Sequence, residues 1–125
     1  MKVHSQTDVG LVRTLNEDAC RTGLLGENGA WAVVCDGMGG ANGGEIASET
    51  AVKSIEEQIL ASYEEDFKSE EMKLMLSTLI FHANSAVYDM AQENESLKGM
   101  GTTIVVAIVL DNVAHIAHAG DSRAY

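Results

Sequence analysis

The sequence lacks several features that would define a class of protein. It has no proline, two cysteines and only eight lysine and arginine residues against 19 acidic residues, so the formal net charge is −11. This charge argues against a nucleic-acid partner and an anionic membrane partner, since both are polyanions. No apolar run reaches the ~20 residues that span a bilayer, and no signal peptide is evident. We therefore expect a cytoplasmic protein.

The two cysteines lie in apolar, strand-like segments, at Cys20 and Cys35. Buried thiols of this kind are ordinary in a reducing compartment, where they behave as small core residues. A turn at Gly26–Gly29 would bring them nearly opposite each other, so a redox pair is the alternative interpretation.

The periodicity of apolar residues predicts strands at both ends of the chain and helices between them. Strands are expected at Ala19–Leu25 and Ala30–Cys35 around an Asn-Gly turn, and at Thr102–Leu110 and Val113–Ala119 around Asp111-Asn112. Lys2–Thr7 gives a weaker strand signal. Two helical stripes are expected from residues recurring at i+3 and i+4: Ile46, Ala47, Ala51, Ile55 and Ile59, and then Met72, Met75, Leu76, Leu79, Ile80, Ala83, Val87, Met90 and Ala91.

This order of elements predicts one α+β domain with a mainly antiparallel sheet. No repeat or linker divides the 125 residues. Ala124-Tyr125 reads as the start of another strand that nothing pairs. We therefore expect a fragment that self-associates through its open sheet edges.

The segment Asp36-Gly37-Met38-Gly39-Gly40 is the strongest sign of a functional site. It follows the apolar run Trp31–Cys35, which is typical of a strand buried on both faces. A carboxylate at the end of such a strand is costly to bury unless a positive charge meets it. No Lys or Arg lies between Gly26 and Ile46, so a divalent cation held by oxygen ligands is the simplest partner.

Two further acidic segments, Asn16-Glu17-Asp18 and Gly120-Asp121-Ser122, also fall in loops or at strand ends. Each alone is more often a turn than a ligand. If the three segments converge, they form an all-oxygen site suited to magnesium or manganese. Arg13 beside the first segment suits a phosphate oxygen, although an ion pair with Glu17 or Asp18 is the simpler interpretation.

Four segments together resemble successive motifs of the protein phosphatase 2C family, the metal-dependent Ser/Thr phosphatases, in their bacterial form. They are Val12-Arg13-Thr14-Leu15-Asn16-Glu17-Asp18, Val33-Val34-Cys35-Asp36-Gly37-Met38-Gly39-Gly40, Gly101-Thr102-Thr103 and Ala119-Gly120-Asp121-Ser122-Arg123. The resemblance covers only the N-terminal half of a family catalytic domain. It implies part of a four-layer α-β-β-α sandwich with two Mn²⁺ or Mg²⁺ ions between mainly antiparallel sheets.

The resemblance also implies roles for individual residues. Asp36 would bridge the two ions, and the Gly37 carbonyl would bind one of them. Glu17 and Asp18 would hold metal-bound waters. The last two roles follow in the same way: Arg13 would bind the substrate phosphate, and Asp121 would bind the third, weaker ion found in bacterial members.

The chain departs from the family pattern where some members carry a histidine thought to act as general acid. Met38 and Ala41 occupy the two positions concerned, and neither can donate a proton. A metal-bound water would then have to protonate the leaving group. The remaining family ligands, in Asp-Gly and Asp-Asn motifs, would lie beyond residue 125, since neither Asp89 nor Asp111 has a matching context.

We therefore interpret residues 1–125 as the N-terminal portion of a protein phosphatase domain that hydrolyses phosphoserine and phosphothreonine in proteins. The fragment alone is expected to bind metal poorly and to turn over little. The alternative is a non-catalytic regulatory or partner-binding domain of the same fold. Retention of Arg13, Glu17, Asp18, Asp36 and Asp121 favours the enzyme.

Overall fold

The computed structural model describes residues 1–39 and 43–125. Along the chain, two helices follow a first pair of strands and precede a second group of strands. In chain order the elements are β1 (Asp18–Leu25), β2 (Gly29–Met38), α1 (Gly44–Ser62), α2 (Ser69–Glu93), a 3₁₀ turn (Glu95–Leu97), β3 (Gly101–Thr102), β4 (Ile104–Leu110) and β5 (Val113–Ala119). Neither α1 nor α2 is long and apolar enough to cross a membrane.

Both predicted hairpins are confirmed. β1 pairs antiparallel with β2, so that Asp18 lies opposite Asp36. β4 pairs antiparallel with β5 through a turn in which Asp111 and Asn112 have φ values of 47° and 66°. Two successive positive φ values are those of a type I′ turn, whose twist matches that of the flanking strands.

The sheet order is β1-β2-β4-β5, and β3 pairs with the end of β2. All observed strand pairs are antiparallel. Both helices pack on one face of this sheet, where alternate strand residues such as Trp31, Val33 and Cys35 are buried. Most of the predicted helical stripes face the same core, while Ile46 and Met90 remain exposed. The α+β class is confirmed.

The other face of the sheet is open. Leu24, Val34 and Ile116 lie on it and are 58%, 48% and 50% exposed. They alternate with residues that point into the core, because successive side chains of a strand point to opposite faces. The described chain therefore forms two layers, one of helices and one of sheet. These are two of the four layers that the family resemblance implies.

Three local predictions are wrong. Lys2–Thr7 forms no strand, and the side chains of residues 1–15 are all exposed, since Val3 alone gives this segment too little apolar surface to pack. Thr103 interrupts the expected strand Thr102–Leu110, and Ala124-Tyr125 is irregular.

Candidate active site

The hairpin register brings two carboxylates together at one end of the sheet. Asp36 is the third residue from the end of β2, and it lies directly opposite Asp18, the first residue of β1. Both side chains belong to the open face, because their neighbours Cys35 and Ala19 point into the core. Glu17 precedes Asp18, and its carbonyl accepts the Gly37 N–H at 3.1 Å.

A cavity of about 290 Å³ lies around this pair of aspartates. Its lining combines four carboxylates with one guanidinium, and the other lining residues are small, apolar or amide-bearing. The full lining is Asp8, Val9, Arg13, Leu15, Asn16, Glu17, Asp18, Asp36 and Gly37. The sequence motifs thus place Arg13, Glu17, Asp18, Asp36 and Gly37 around one space. An excess of carboxylate oxygens over cations suits a hard divalent cation.

The electrostatics of the cavity also fit a cation. Partial burial raises the pKa of Asp18. The charge of Asp36 and a hydrogen bond to it raise the pKa of Asp18 further, and the charge of Glu17 adds to this effect. Carboxylates this close repel each other unless a proton or a cation lies between them. Glu17 Oε1 is buried and has no hydrogen-bond partner within the part of the chain that the structure describes. Burying a polar oxygen without a partner is costly, and a bound cation would remove that cost.

Two glycines allow the close packing that holds Glu17 in place. A Cβ on Gly37 would overlap the Gly44 carbonyl oxygen and would lie 2.6 Å from the Glu17 carbonyl oxygen. A Cβ on Gly44 would overlap Glu17 Oε1. The end of β2, the start of α1 and the residue before β1 therefore meet at Gly37, where backbone packs against backbone and no Cβ fits. At Gly44 the same lack of a Cβ makes room for the Glu17 carboxylate.

The segment before β1 closes the cavity through polar contacts. Asn16 Nδ2 donates to Thr7 Oγ1 at 2.9 Å, and Asn16 Oδ1 accepts the Asp18 N–H at 3.0 Å. Asp8 reaches the cavity because this segment folds back. Sequence reasoning missed Asp8, since an exposed, irregular segment carries no periodic signal.

Arg13 forms an ion pair with neither Glu17 nor Asp18, although all three line the same cavity. The simpler interpretation of Arg13 as a surface salt bridge to these residues is therefore not what the structure shows. Its guanidinium lies in an exposed segment at the edge of the acidic cavity. This placement suits an anion that enters the cavity from solvent.

Asp121 follows β5 and comes to the same end of the sheet, because Ala119 lies opposite Ile104 at the start of β4. Its side chain is exposed and does not line the cavity. The neighbouring Ser122 Oγ lies 2.5 Å from Thr103 Oγ1, which in turn accepts the Asp36 N–H at 3.1 Å. The third acidic segment is thus tied to Asp36 through hydrogen bonds.

The described residues do not form a metal site by themselves. Across 1–39 and 43–125, no three His, Cys, Asp or Glu side chains lie close enough together to hold an ion by themselves. Met38 is 54% exposed at the end of β2. The other position considered for a general acid, Ala41, lies outside the described residues. The oxygen donors around Asp36 have the right chemistry for Mg²⁺ or Mn²⁺, but they are too few for a complete centre.

Comparison with known proteins agrees with this geometry. A family model described as Protein phosphatase 2C matches residues 12–125. The chain belongs to the protein phosphatase 2C family. A solved structure, serine/threonine phosphatase Stp1 from Staphylococcus aureus, has a TM-score of 0.85 at 37% identity, covering 94% of this chain and 46% of that one.

Two sequence relatives carry similar names. Serine/threonine phosphatase stp of Listeria monocytogenes is 34% identical over 128 residues, covering all of this chain and 49% of that protein. Serine/threonine protein phosphatase PstP of Mycobacterium tuberculosis is 30% identical over 125 residues, covering all of this chain and 22% of that protein. The chain therefore spans about half the length of the Listeria phosphatase.

Proposed function

We propose that this chain forms the N-terminal portion of a catalytic domain that hydrolyses phosphoserine and phosphothreonine in proteins. The observation that carries the proposal is one cavity that combines the carboxylates of Asp36, Asp18 and Glu17 with the guanidinium of Arg13. Its members are the residues through which the chain resembles the protein phosphatase 2C family. The relatives named as Ser/Thr phosphatases support the substrate class.

In this proposal each residue has one task. Asp36 and the Gly37 carbonyl would hold the Mn²⁺ or Mg²⁺ ions, and Glu17 and Asp18 would orient the water around them. Asp121 would hold a further ion. When bound, the ions would supply an activated water at neutral pH and neutralise the charge that develops on the phosphate. Two observations support these roles: Glu17 Oε1 is buried with no partner among the described residues, and the pKa of Asp18 is raised.

The complete centre needs ligands that the described residues do not contain. We therefore expect the 125-residue chain alone to bind Mn²⁺ weakly and to hydrolyse little p-nitrophenyl phosphate. The sharper test is a chimera, in which residues 1–125 replace the matching part of Staphylococcus aureus Stp1. This chimera is expected to hydrolyse p-nitrophenyl phosphate and a phosphothreonine peptide with Mn²⁺. A folded chimera that binds Mn²⁺ without turnover would support the regulatory alternative.

Arg13→Ala in the chimera is expected to lower kcat/KM for a phosphopeptide by ~10- to 100-fold, because a charge-assisted bidentate contact to phosphate is lost. The kcat/KM of Arg13→Lys should lie between the values of Arg13→Ala and the unsubstituted chimera. An ammonium group keeps the charge but cannot bind two phosphate oxygens at once, as a guanidinium can. Inhibition by inorganic phosphate, measured by steady-state kinetics, should weaken in parallel.

Lys98→Ala is the matched control for Arg13, because Lys98 is an exposed cation outside the cavity. This variant should keep the original kcat/KM and phosphate inhibition. Equal losses in both variants would mean that general charge, and not a phosphate contact at Arg13, governs binding.

We also infer that the isolated chain self-associates by pairing of its β5 edges. β5 is the last strand in the sheet order, and its sequence Val-Ala-His-Ile-Ala-His-Ala carries no acidic residue, lysine or proline. Such an unprotected edge is a template for pairing with a second copy. The mean mass of the native chain, measured by light scattering, should therefore rise with concentration.

Ile116→Lys should keep the chain monomeric, because a lysine on an edge strand opposes pairing. Val34→Lys is the control, since Val34 lies on the same open face with nearly equal exposure but on the central strand β2. It should still self-associate. Loss of association in both variants would point to packing of the open faces instead, and a monomer at all concentrations would refute the inference.

A location in the cytoplasm is supported by the two thiols. The register places Cys20 opposite Val34 and Cys35 opposite Ala19, so the cysteines point to opposite faces and remain free. Burial raises the pKa of Cys35 to about 12, which keeps it as an unreactive thiol. These observations argue against the redox pair and favour a reducing compartment.

A further inference from the structure

The break between β3 and β4 falls at Thr103, a buried polar residue with 3% of its surface exposed. The backbone N–H of Thr103 donates to the Asp36 carbonyl at 2.9 Å, and Thr103 Oγ1 accepts the Asp36 N–H at 3.1 Å. Thr102 Oγ1 also donates to the Asp36 carbonyl at 3.1 Å. Thr102 and Thr103 thus hold both backbone groups of Asp36, and each of these groups contacts a threonine hydroxyl.

The same hydroxyl group reaches the Asp121 segment. Thr103 Oγ1 lies 2.5 Å from Ser122 Oγ, and either hydroxyl can donate to the other. Gly120 approaches Thr103 closely, since a Cβ on this glycine would lie 2.8 Å from Thr103 Cγ2. Its φ of 101° also belongs to the region that favours glycine. The turn after β5 is therefore packed directly against the break.

Thr103 connects β2 to the turn after β5, which are too far apart to contact each other directly. β2 and β5 are separated by β4 in the sheet order, so their backbones lie ~10 Å apart, at two strand spacings. Thr103 precedes β4, the strand between them, and its single hydroxyl contacts both sides. The path runs from the Asp36 N–H through Thr103 Oγ1 to Ser122 Oγ, beside Asp121.

We propose that Thr103 is a positioning residue that couples Asp36 to the Asp121 segment, so that cation binding at either carboxylate orders the other. The metal part of this inference rests on the proposed function, in which Asp36 and Asp121 are ligands. The coupling itself does not, since it is a property of the hydrogen bonds in the metal-free chain. The two parts can therefore be tested separately.

The first experiment measures amide hydrogen exchange and ¹H–¹⁵N spectra of the metal-free 125-residue chain. Thr103→Val keeps the side-chain shape but removes the acceptor, so the Asp36 amide should exchange about tenfold faster. Thr103→Ser should restore slow exchange. Ser122→Ala should still move the Asp36 amide resonance, because it changes the hydroxyl that this amide contacts. Ser96→Ala is the control, since the Ser96 hydroxyl donates to Asn94 Oδ1 within its own turn.

An Asp36 amide with the same chemical shift in the native chain and in Ser122→Ala would overturn the coupling.

The second experiment follows the same resonances during Mg²⁺ titration. Native Asp36 and residues 120–123 should respond with one apparent Kd, whereas Ser122→Ala should separate them and weaken the second response about tenfold. Coincident responses in this variant would overturn the positioning role. The absence of any response in the chimera with Stp1, with the amide coupling intact, would refute the metal site of the proposed function.

Discussion

Asp36→Asn is expected to lower the phosphatase activity of the chimera by at least ~10³-fold, because removal of a preorganised electrostatic group from a phosphate site costs on that order or more. An asparagine keeps the size of the side chain but cannot bring a negative charge to two cations. The loss should appear in kcat at saturating Mn²⁺. EDTA should abolish the activity of the unsubstituted chimera.

The stability of Asp36→Asn without metal should be preserved or increased, although its activity is lost. Asp36 lies opposite Asp18 and raises its pKa, so the native pair is strained without a cation. Asp36→Asn removes one of the two charges, and its melting temperature in EDTA should be equal to or above that of the parent. A variant that is inactive because it unfolds would show the opposite.

Asp111→Asn is the matched control, because it makes the same chemical change in the β4–β5 turn, where asparagine also accepts the positive φ of 47°. It should leave kcat and the manganese requirement unchanged. Near-normal activity of Asp36→Asn would remove this carboxylate from the proposed role, and activity that persists in EDTA would contradict the metal dependence itself.

Gly37→Ala in the 125-residue chain is expected to lower the free energy of unfolding by roughly 3 kcal/mol, the upper range for overpacking. The added Cβ would meet two carbonyl oxygens, those of Gly44 and Glu17. The backbone of α1 and of the residue before β1 cannot yield as a flexible side chain can. For a chain of this size the melting temperature should fall by ~10 °C. Thermal unfolding followed by circular dichroism measures this shift.

Gly101→Ala provides the comparison, since it changes the same residue type at a β3 position paired with the end of β2. Among the described residues, its Cβ would contact the Met38 side chain, at 3.6 Å from Cγ and 4.0 Å from Sδ, both ordinary distances. This variant should be neutral or slightly stabilised, because alanine restricts the unfolded chain. Equal destabilisation in both variants would show that glycine flexibility, and not the contact with Glu17 and Gly44, matters at residue 37.

Local patterns were sufficient to predict most of the elements. The Gly26–Gly29 segment marked the β1–β2 turn and Asp111-Asn112 the β4–β5 turn. The β1–β2 hairpin then placed Asp18 opposite Asp36. Prediction failed where periodicity was weak, as in Lys2–Thr7, or where a β-branched run was interrupted, as at Thr103. A threonine suits a strand as well as a break, so its role depends on partners that are distant in the chain.

The sequence by itself determined the α+β class, the family resemblance and the carboxylate after a buried strand, because turn chemistry and apolar periodicity act over a few residues. Only the tertiary structure decided which strands are neighbours. The placement of β4 between β2 and β5 brings Thr103 into contact with both Asp36 and Ser122, over separations of 67 and 19 residues. The same packing buries Glu17 Oε1 against Gly44, with no hydrogen-bond partner among residues 1–39 and 43–125. Such contacts follow from the packing of whole elements, which no local pattern encodes.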